Sequence, residues 1–469
     1  AADSQHGFGG RVLAVQSYMI LQKGDSLMKS FKLPSDFLMG SATAGAQIEG
    51  GDKNSNWYDW CQKGHIRDNT SCFRGDDHWN RYKEDIDLMA ALHHKIYRLG
   101  IEWSRIEPQE GKFDKEAITH YRNEISLLLQ RGIRPLVTLH HFTHPLWLEE
   151  KGGFEQDGIV GYFARYVRYA VENLGDLVSE YITVNEPNVY ATMGYYFGVW
   201  PPGRKSIGSL RKVLKNMALC HIAAYRLIHK IREEMGYPGK TMVGVANHLR
   251  IFDPYNRHNP FDRLAAGVMG CLFQDAVIKS MSTGLLMPPI GFGSPKGTGR
   301  FLDFLGINYY TRDAVRFLGF QNNVMPDTPR NDLGWEIYPE GLSRLCRRYF
   351  EKYPVPIWIT ENGTCDTNDR FRPRYIYDHL LEIAKLCKEG IPIERYYHWS
   401  LMDNFEWAEG ESARFGLVHV DFDNQKRTIR NSGKFFAEIC DKLEVTGEMI
   451  QKYLTSSEQS PANSHPDPL

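Results

Sequence analysis

The chain has 469 residues, of which 42% are hydrophobic and 24% are charged, and this composition is that of a globular protein with a large buried core. Its 56 Lys and Arg residues nearly balance its 57 Asp and Glu residues. This balance provides no basic field for nucleic acid or for an anionic membrane surface, so we expect neither as a partner and favour a neutral small-molecule substrate.

The two ends of the chain differ from its middle. Residues 1–30 form an irregular leader by composition, and Met28 would serve as a natural start within it. The apolar run 12–21 is interrupted by Gln16 and Ser17 and lacks a small-residue cleavage site, which argues against a signal peptide. Residues 455–469 are rich in Ser, Pro and Asn and predict disorder. No linker interrupts residues 31–443, so we predict one catalytic domain there, with no membrane span.

Short β-type runs alternate with amphipathic helical stretches between these ends, which is the pattern of a parallel sheet covered by helices. The predicted strands are 37–42, 95–99, 135–140, 181–185, 241–247, 304–308, 357–361 and 396–400. Helices are predicted at 81–92, 117–131, 159–173, 210–234, 341–353 and 375–389. Eight strands with intervening helices indicate a single-domain α/β fold, a (β/α)8 TIM barrel with extended loops after its strands.

Eight cysteines are spread along the chain, with no CxxC pair and no dense cluster. A chain of this size does not need disulfides for stability. We therefore expect free thiols and a cytoplasmic location.

Two predicted strands lead into a glutamate at their carboxyl ends, Glu186 in the string NEP at 185–187 and Glu361 in the string TEN at 360–362. The carboxyl ends of barrel strands meet at one face, so the two carboxyls are expected to be neighbours. A glycosidic bond breaks through an oxocarbenium-like transition state, which needs one carboxylic acid and one carboxylate. Either string alone is an ordinary strand exit or turn, but together they indicate a site that cleaves carbohydrates.

Six motifs in chain order resemble glycoside hydrolase family 1, the β-glucosidase family. They are FLMGSATAGAQIEG at 37–50, YRLGIEWSR at 97–105, TVNEP at 183–187, DFLGINYYT at 303–311, ITENG at 359–363 and WSLMDNFEW at 399–407. Several motifs in register are far more specific than one. The resemblance covers residues 31–438 and implies a retaining β-glycosidase that needs no cofactor and no metal.

The resemblance also implies a catalytic role for five residues. Glu361 matches the nucleophile and Glu186 the acid/base; Arg98 would pair with the nucleophile, Tyr310 would orient it, and Asn185 would bind the sugar 2-hydroxyl. Retention requires carboxyls roughly 5 Å apart. The charge of Glu361 is expected to raise the pKa of Glu186, so that Glu186 holds the proton in the free enzyme.

A second set of residues is implied to bind the sugar: Gln47, His141, Asn308, Trp335, Trp399, Glu406 and Trp407, with Trp399 as the floor and Trp335 facing the leaving group. Glu406 is the most informative of them. Relatives that act on 6-phosphorylated sugars usually have serine there, because a carboxylate would repel the phosphate. Glu406 therefore favours an unphosphorylated glycoside.

Three positions depart from the usual family pattern around this pocket. Phe142 replaces a tryptophan, Glu411 stands where an aromatic residue is common, and LGIE at 99–102 replaces FSIS. These departures bear on sugar preference and affinity, not on the catalytic pair.

Two weaker patterns are interpreted conservatively. The cluster of His140, His141 and His144 lacks an acidic partner at recognised zinc spacing, so packing or sugar contact is favoured over a metal site. The glycine-rich segment 291–299 lacks the Gly-Lys-Ser/Thr ending and leads into a strand, so we interpret it as a mobile loop rather than a phosphate site.

The sequence thus predicts an exo-acting β-glycosidase that removes terminal glucose, and also galactose or fucose, from oligosaccharides or aryl glycosides. Three alternatives stay open: a 6-phospho-β-glycosidase, a non-catalytic sugar-binding module, and a transglycosylating enzyme with the same covalent intermediate. A homo-oligomer is compatible with the sequence.

Overall fold

A computed structural model of the protein describes residues 28–455. Eight parallel strands close into a barrel: β2 (Leu38–Ala42), β3 (Ile96–Gly100), β4 (Arg134–Thr138), β5 (Glu180–Asn185), β6 (Met242–Pro254), β7 (Leu305–Arg316), β9 (Ile357–Asn362) and β10 (Ile393–Trp399). Each strand pairs with the next, and β10 pairs with β2 to complete the ring. All eight predicted strands and the predicted (β/α)8 fold are confirmed.

Six long helices match the predicted ones and cover the outside of the barrel. They are His78–Ala91, Lys115–Gln130, Ile159–Leu174, Ile207–Glu234, Glu340–Lys352 and Arg372–Lys388. In Ile159–Leu174 the residues Phe163, Val167, Ala170 and Leu174 are buried, at the spacing of one helix face. The barrel strands are covered on both sides, which is why every residue of β5 and β9 is buried.

Shorter elements fill the loops. The helices are Gly45–Ile48, Asn56–Gln62, Trp103–Ile106, Leu146–Glu150, Pro187–Ala191, Pro260–Gly270, Ala276–Thr283, Asn431–Lys442 and Gly447–Ile450. Turns of 3-10 helix lie at Gly153–Glu155, Leu318–Phe320 and Trp407–Glu409, and turns of π-helix at Thr192–Phe197, Cys271–Asp275 and Gln451–Thr455. A small hairpin is formed by β11 (Val418–Asp421) and β12 (Lys426–Ile429).

Strands β6 and β7 are longer than the sequence predicted. They stay paired beyond the barrel rim as far as Pro254 and Val315, and β7 then turns back into β8 (Gln321–Asn323). The helix Pro260–Gly270 covers this extension, with Ala265 and Ala266 packed on Val315. The predicted end of β6 at 247 was therefore too early, and the residues that follow belong to a rigid strand beside the site.

The two ends of the described chain meet under the barrel. β1 (Phe31–Lys32) pairs antiparallel with β13 (Glu444–Val445), and Met449 and Tyr453 are buried beyond it. The packed chain therefore extends past the predicted boundary at 443, to residue 455. Residues 1–27 of the predicted leader and residues 456–469 of the predicted tail lie outside the described residues.

Among the described residues, one helical segment, 260–283, is long and apolar enough to cross a membrane by length and composition, because an 18-residue window within it has a mean hydropathy of 1.2. The prediction of no membrane span did not single out this segment. Half of the apolar window is buried inside the fold, as is usual for a core helix, so the finding is weak support for a membrane span.

The predicted free thiols are confirmed for all eight cysteines. Cys61 and Cys72 lie near each other, with 3.8 Å between their sulfur atoms.

Candidate active site

Glu186 lies at the point where β5 ends and the helix Pro187–Ala191 begins. Its backbone is in the left-handed region, with φ 41° and ψ 59°, and its N–H donates to the carbonyl of Ala246 at 2.8 Å. Proline at the first helical position fits here because its missing N–H would have no helical partner. The sharp exit turns the Glu186 side chain into the barrel mouth, where the residue is only 6% exposed.

The Glu186 carboxyl accepts two hydrogen bonds on a single oxygen. His248 Nδ1 and Asn308 Nδ2 each lie 2.9 Å from Oε1. Burial works against ionisation, but the contact with His248, the hydrogen bond of Asn308 and the charge of Arg98 lower the pKa of Glu186 below its usual value. Its partners therefore favour the carboxylate.

Glu361 lies near the end of β9 and is held by a different set of donors. Arg98 Nη1 forms an ion pair with Oε1, and the Tyr310 hydroxyl donates to Oε2 at 2.6 Å. Burial raises the pKa of Glu361 to about 7, although Arg98 and Tyr310 work in the opposite direction. The predicted contacts of Arg98 and Tyr310 with the second glutamate are thus present.

The pKa shifts of the two carboxyls run in opposite directions. The charge of Glu361 was expected to keep Glu186 protonated, but the pKa of Glu186 is lowered and that of Glu361 is raised. The hydrogen bond from His248 favours the ionised form of Glu186, while burial and the charge of Glu186 raise the pKa of Glu361. The two sites interact, so they titrate as a pair and share the proton between them.

Asn185 and Asn308 connect the two carboxyls. Arg98 Nη2 donates to Asn185 Oδ1 at 2.7 Å, and Asn308 Nδ2 lies 3.1 Å from the same oxygen. Thr360 fixes the Asn308 amide by donating to its Oδ1 at 2.7 Å. Side chains from five strands are therefore joined in one hydrogen-bonded network that fixes both glutamates.

The polar side of the pocket lies beside this network. Gln47 Nε2 donates to the Phe405 carbonyl at 2.7 Å and lies 3.3 Å from Glu406 Oε2. Asn185 Nδ2 donates to His141 Nε2 at 2.9 Å. Gln47 Oε1 and His141 Nδ1 are buried and have no hydrogen-bond partner among the described residues, so both can bond a ligand hydroxyl.

The aromatic side of the pocket is formed by Trp399 and Trp407. The His141 ring lies 5.8 Å from Trp399 and 5.7 Å from Trp407, between centroids, and Trp57 packs behind Trp407 at 4.8 Å. Trp335 stands apart, in edge contact with Tyr310 at 5.9 Å. The structure thus brings all twelve predicted site residues to one mouth of the barrel, with Trp335 at its margin beside Tyr310.

A mouth with two buried carboxyls, donors for hydroxyls and an aromatic wall is suited to sugar chemistry. The family model that describes glycosyl hydrolase family 1 matches residues 29–284 and 298–445. The chain belongs to glycosyl hydrolase family 1. It is therefore an enzyme of the glycoside hydrolase class, and the resemblance inferred from its motifs is confirmed.

Known members of family 1 resemble the chain over most of its length. Beta-glucosidase A of Thermotoga maritima is 32% identical over 443 residues, which cover 87% of this chain and 97% of that protein. The structure of a beta-glycosidase from Pyrococcus horikoshii matches with a TM-score of 0.82 at 35% identity and covers 91% of this chain and 98% of its own. A beta-glucosidase from Thermotoga maritima in complex with glucoimidazole matches with a TM-score of 0.82 at 31% identity, covering 88% and 100%. The similarity to these β-glucosidases and to this β-glycosidase supports β-glycosidase activity for this family 1 enzyme.

The departures from the family pattern are accommodated by new contacts. Phe142 packs against Trp407 at 5.1 Å and Trp200 at 5.0 Å, so it keeps an aromatic wall at that position. Glu411 is buried and pairs with Arg74, whose Nε lies 3.1 Å from Oε1. Glu411 therefore holds the loop that follows Trp407 instead of offering an aromatic face.

Glu102, in the altered LGIE segment, joins two loops of the pocket. Its Oε1 accepts from the backbone N–H of Ala46, next to Gln47, at 3.0 Å, and its Oε2 accepts from Thr143 at 2.5 Å. Burial, with the charge of Glu49, raises the pKa of Glu102 to about 8. Glu102 thus connects the segment that carries Gln47 with the segment that carries His141.

The contacts of His248 and Arg250 were not predicted from the sequence. His248 and Arg250 were placed after the end of β6 and were not considered, although a histidine beside a barrel mouth was a visible signal. His144 contacts Glu149, five residues further along the chain, with 2.6 Å between Nε2 and Oε2, which is not a recognised zinc spacing. Among residues 28–455 no three His, Cys, Asp or Glu side chains are grouped so as to hold a metal ion.

Proposed function

We propose that the enzyme is a retaining, exo-acting β-glycosidase that hydrolyses terminal β-glucosyl residues, and also galactosyl or fucosyl residues, by double displacement. The observation that carries this proposal is the different surroundings of the two carboxyls. Glu361 is held by Arg98 and Tyr310, the arrangement of a fixed nucleophile. Glu186 faces neutral donors and can exchange a proton.

In the first step, Glu361 attacks the anomeric carbon while Glu186 gives a proton to the leaving oxygen. The proton that the pair shares must lie on Glu186 for this step. Once Glu361 is esterified its charge is lost, and Glu186 then takes a proton from water as that water attacks. Glu186 needs its carboxylate form in this second step, and its two donors favour that form.

The pocket supports a neutral terminal sugar. Buried Gln47 Oε1 and His141 Nδ1 offer partners for hydroxyls, and burial lowers the pKa of His141 well below its usual value, so its ring stays neutral. Glu406 places a carboxyl beside Gln47, and the ionised form of this carboxyl would repel a 6-phosphate. We also propose a cytoplasmic location, supported by eight free cysteines.

The proposal is tested by assaying p-nitrophenyl β-glucoside, β-galactoside, β-fucoside and 6-phospho-β-glucoside in parallel, with the Glu361→Ala protein as the blank. We expect release from the unphosphorylated substrates alone. Release of p-nitrophenol only from the 6-phospho-β-glucoside would contradict the proposed substrate class. No release from any of the four substrates would favour a non-catalytic sugar-binding protein.

The stereochemistry of the products formed with azide tells which glutamate is the nucleophile and which is the acid/base. With azide, Glu361→Ala is expected to give the inverted glycosyl azide, since the anion replaces the missing carboxylate in one displacement. Glu186→Ala is expected to give the retained azide from substrates with good leaving groups, since azide attacks the glycosyl-enzyme without needing a base. The opposite stereochemistry, read from the anomeric proton signals, would reverse the assignment.

A further inference from the structure

His248 joins the acid/base glutamate to an arginine through its two ring nitrogens. On β6, its Nδ1 lies 2.9 Å from Glu186 Oε1 and its Nε2 lies 2.8 Å from Arg250 Nε. The ring is 5% exposed and stacks on Tyr310 with 5.9 Å between centroids. Its carbonyl accepts from Asn188 Nδ2 at 2.8 Å, so both backbone and ring are fixed.

The arginine decides which ring nitrogen carries the proton. An arginine Nε–H can only donate, so His248 Nε2 must accept. The imidazole is then neutral, with its one proton on Nδ1. That N–H can only donate to Glu186, so the direction of both hydrogen bonds follows from the chemistry of Arg250.

We propose that Arg250 and His248 are positioning residues for Glu186. Arg250 fixes the tautomer of the His248 imidazole, and the Nδ1–H of His248 then donates to the Glu186 carboxylate and holds it in place to act as the base. We call this chain of two hydrogen bonds the relay. The inference rests on the proposed function and deepens it. It explains why Glu186 is arranged for the second step of the reaction, in which it must be ionised.

The charged groups next to His248 in this relay are Arg250 of β6 and Asp313 of β7. Arg250 Nη1 pairs with Asp313 Oδ2 of β7 at 3.1 Å, and its backbone N–H donates to Gln274 at 2.9 Å. Phe273 contributes a neutral ring at 6.1 Å from His248. The Asp313 carboxylate offsets the charge of Arg250. The neutral Nδ1–H of His248 is therefore the main influence on Glu186 from β6.

Four further ionisable groups face Glu186 itself. Tyr310 of β7, Glu361 of β9, Arg98 of β3 and Glu406 of the loop after β10 all interact with it electrostatically. The variants below leave these four groups in place, so their influence on Glu186 is common to all proteins compared.

The sign of the effect follows from the hydrogen bond. A donor to the carboxylate stabilises the charged form and lowers its pKa, so removing the donor raises the pKa of Glu186. When breakdown of the glycosyl-enzyme limits kcat, Glu361 is esterified and Glu186 alone must be ionised. The acidic limb of kcat therefore moves to higher pH when the donor is lost.

The test compares the wild type with His248→Phe, which keeps a ring against Tyr310 but has no donor. With 2,4-dinitrophenyl β-glucoside as substrate, whose good leaving group makes the second step limiting, we expect the acidic limb of kcat to rise by roughly one pH unit. His229→Phe is the matched control. His229 makes a similar 2.8 Å contact with a carboxylate, that of Asp303. Asp303 also accepts from the backbone N–H of Val243 at the start of β6, so this contact lies at the opposite end of the strand from the barrel mouth. The proposal would be refuted if the acidic limb of kcat stays at the wild-type pH in an active His248→Phe protein, or if His229→Phe shifts it by the same amount.

The tautomer is measured directly by 15N NMR of the histidine-labelled protein, with His248 assigned from its missing signals in His248→Phe. We expect a proton on Nδ1 and none on Nε2, and we expect Arg250→Met to abolish this preference. A proton on Nε2 in the wild type would refute the proposal. This measurement needs no catalysis, so it decides on the relay even if the wild type fails the glycoside assay and the proposed function falls.

Discussion

Single side chains decide what the pocket accepts, and Glu406 is the residue that the substrate proposal depends on most. Its carboxyl lies 3.3 Å from Gln47 Nε2, so the two groups form one polar corner of the pocket. Burial, with the charge of Glu361, raises the pKa of Glu406 to about 8. Near neutral pH this carboxyl can therefore both donate to and accept from a sugar hydroxyl.

Replacing Glu406 by serine is expected to lower kcat/KM for p-nitrophenyl β-glucoside by roughly ten- to a hundredfold, the cost of losing a hydrogen bond to an ionisable group. The matched control is Glu409→Ser, three residues along the same loop, where the carboxylate pairs with the exposed Arg67 and a much smaller effect is expected. Equal losses in the two variants would show that Glu406 does not bind the sugar. Steady-state kinetics at fixed pH and a thermal melt of each protein provide the comparison.

Loops and strands hold these side chains, and Glu102 joins two of the loops. Its pKa is raised by burial from 4.5 to about 8 in the folded protein. The folded state therefore favours the protonated form, and the unfolding free energy should fall as pH rises from about 4.5 to about 8. Glu361 and Glu406 have raised pKa values and act in the same direction.

We expect Glu102→Gln, which cannot titrate, to weaken this fall, so that its melting temperature drops less between pH 5 and pH 9 than that of the wild type. Glu116→Gln, at an exposed position in the first turn of Lys115–Gln130, serves as the control and should keep the wild-type slope. The measurement is a series of thermal melts across this pH range. A Glu102→Gln protein with an unchanged slope would contradict the account of the buried carboxyl.

The elements show how far the sequence could be interpreted. The eight strands and six long helices were predictable because apolar runs and helical periodicity are local properties of the chain. The ends of β6 and β7 were not, because their pairing to Pro254 and Val315 depends on the helix Pro260–Gly270 packed over them. The contact of His248 with Glu186 was missed for this reason.

At the scale of the whole molecule, closure of the barrel turns separate motifs into one site. Strand pairing in the order β2, β3, β4, β5, β6, β7, β9, β10 brings all their carboxyl ends to one mouth. The twelve site residues come from segments spread between positions 47 and 407 and meet there without any other scaffold. Motifs in register along a sequence can identify such a site, but the hydrogen bonds that set the state of each carboxyl appear only in the folded molecule.

The central claim is that Glu361 forms a covalent bond to the sugar while Glu186 moves the proton. The most direct test is to incubate the enzyme with 2,4-dinitrophenyl 2-deoxy-2-fluoro-β-glucoside, whose fluorine slows both steps while the leaving group lets the first proceed. We predict loss of activity, a mass increase of one fluoroglucosyl group, and a labelled peptide that carries the sugar on Glu361. A label on Glu186 or on any other residue, or turnover of unmodified substrate to a product of inverted configuration, would contradict the account.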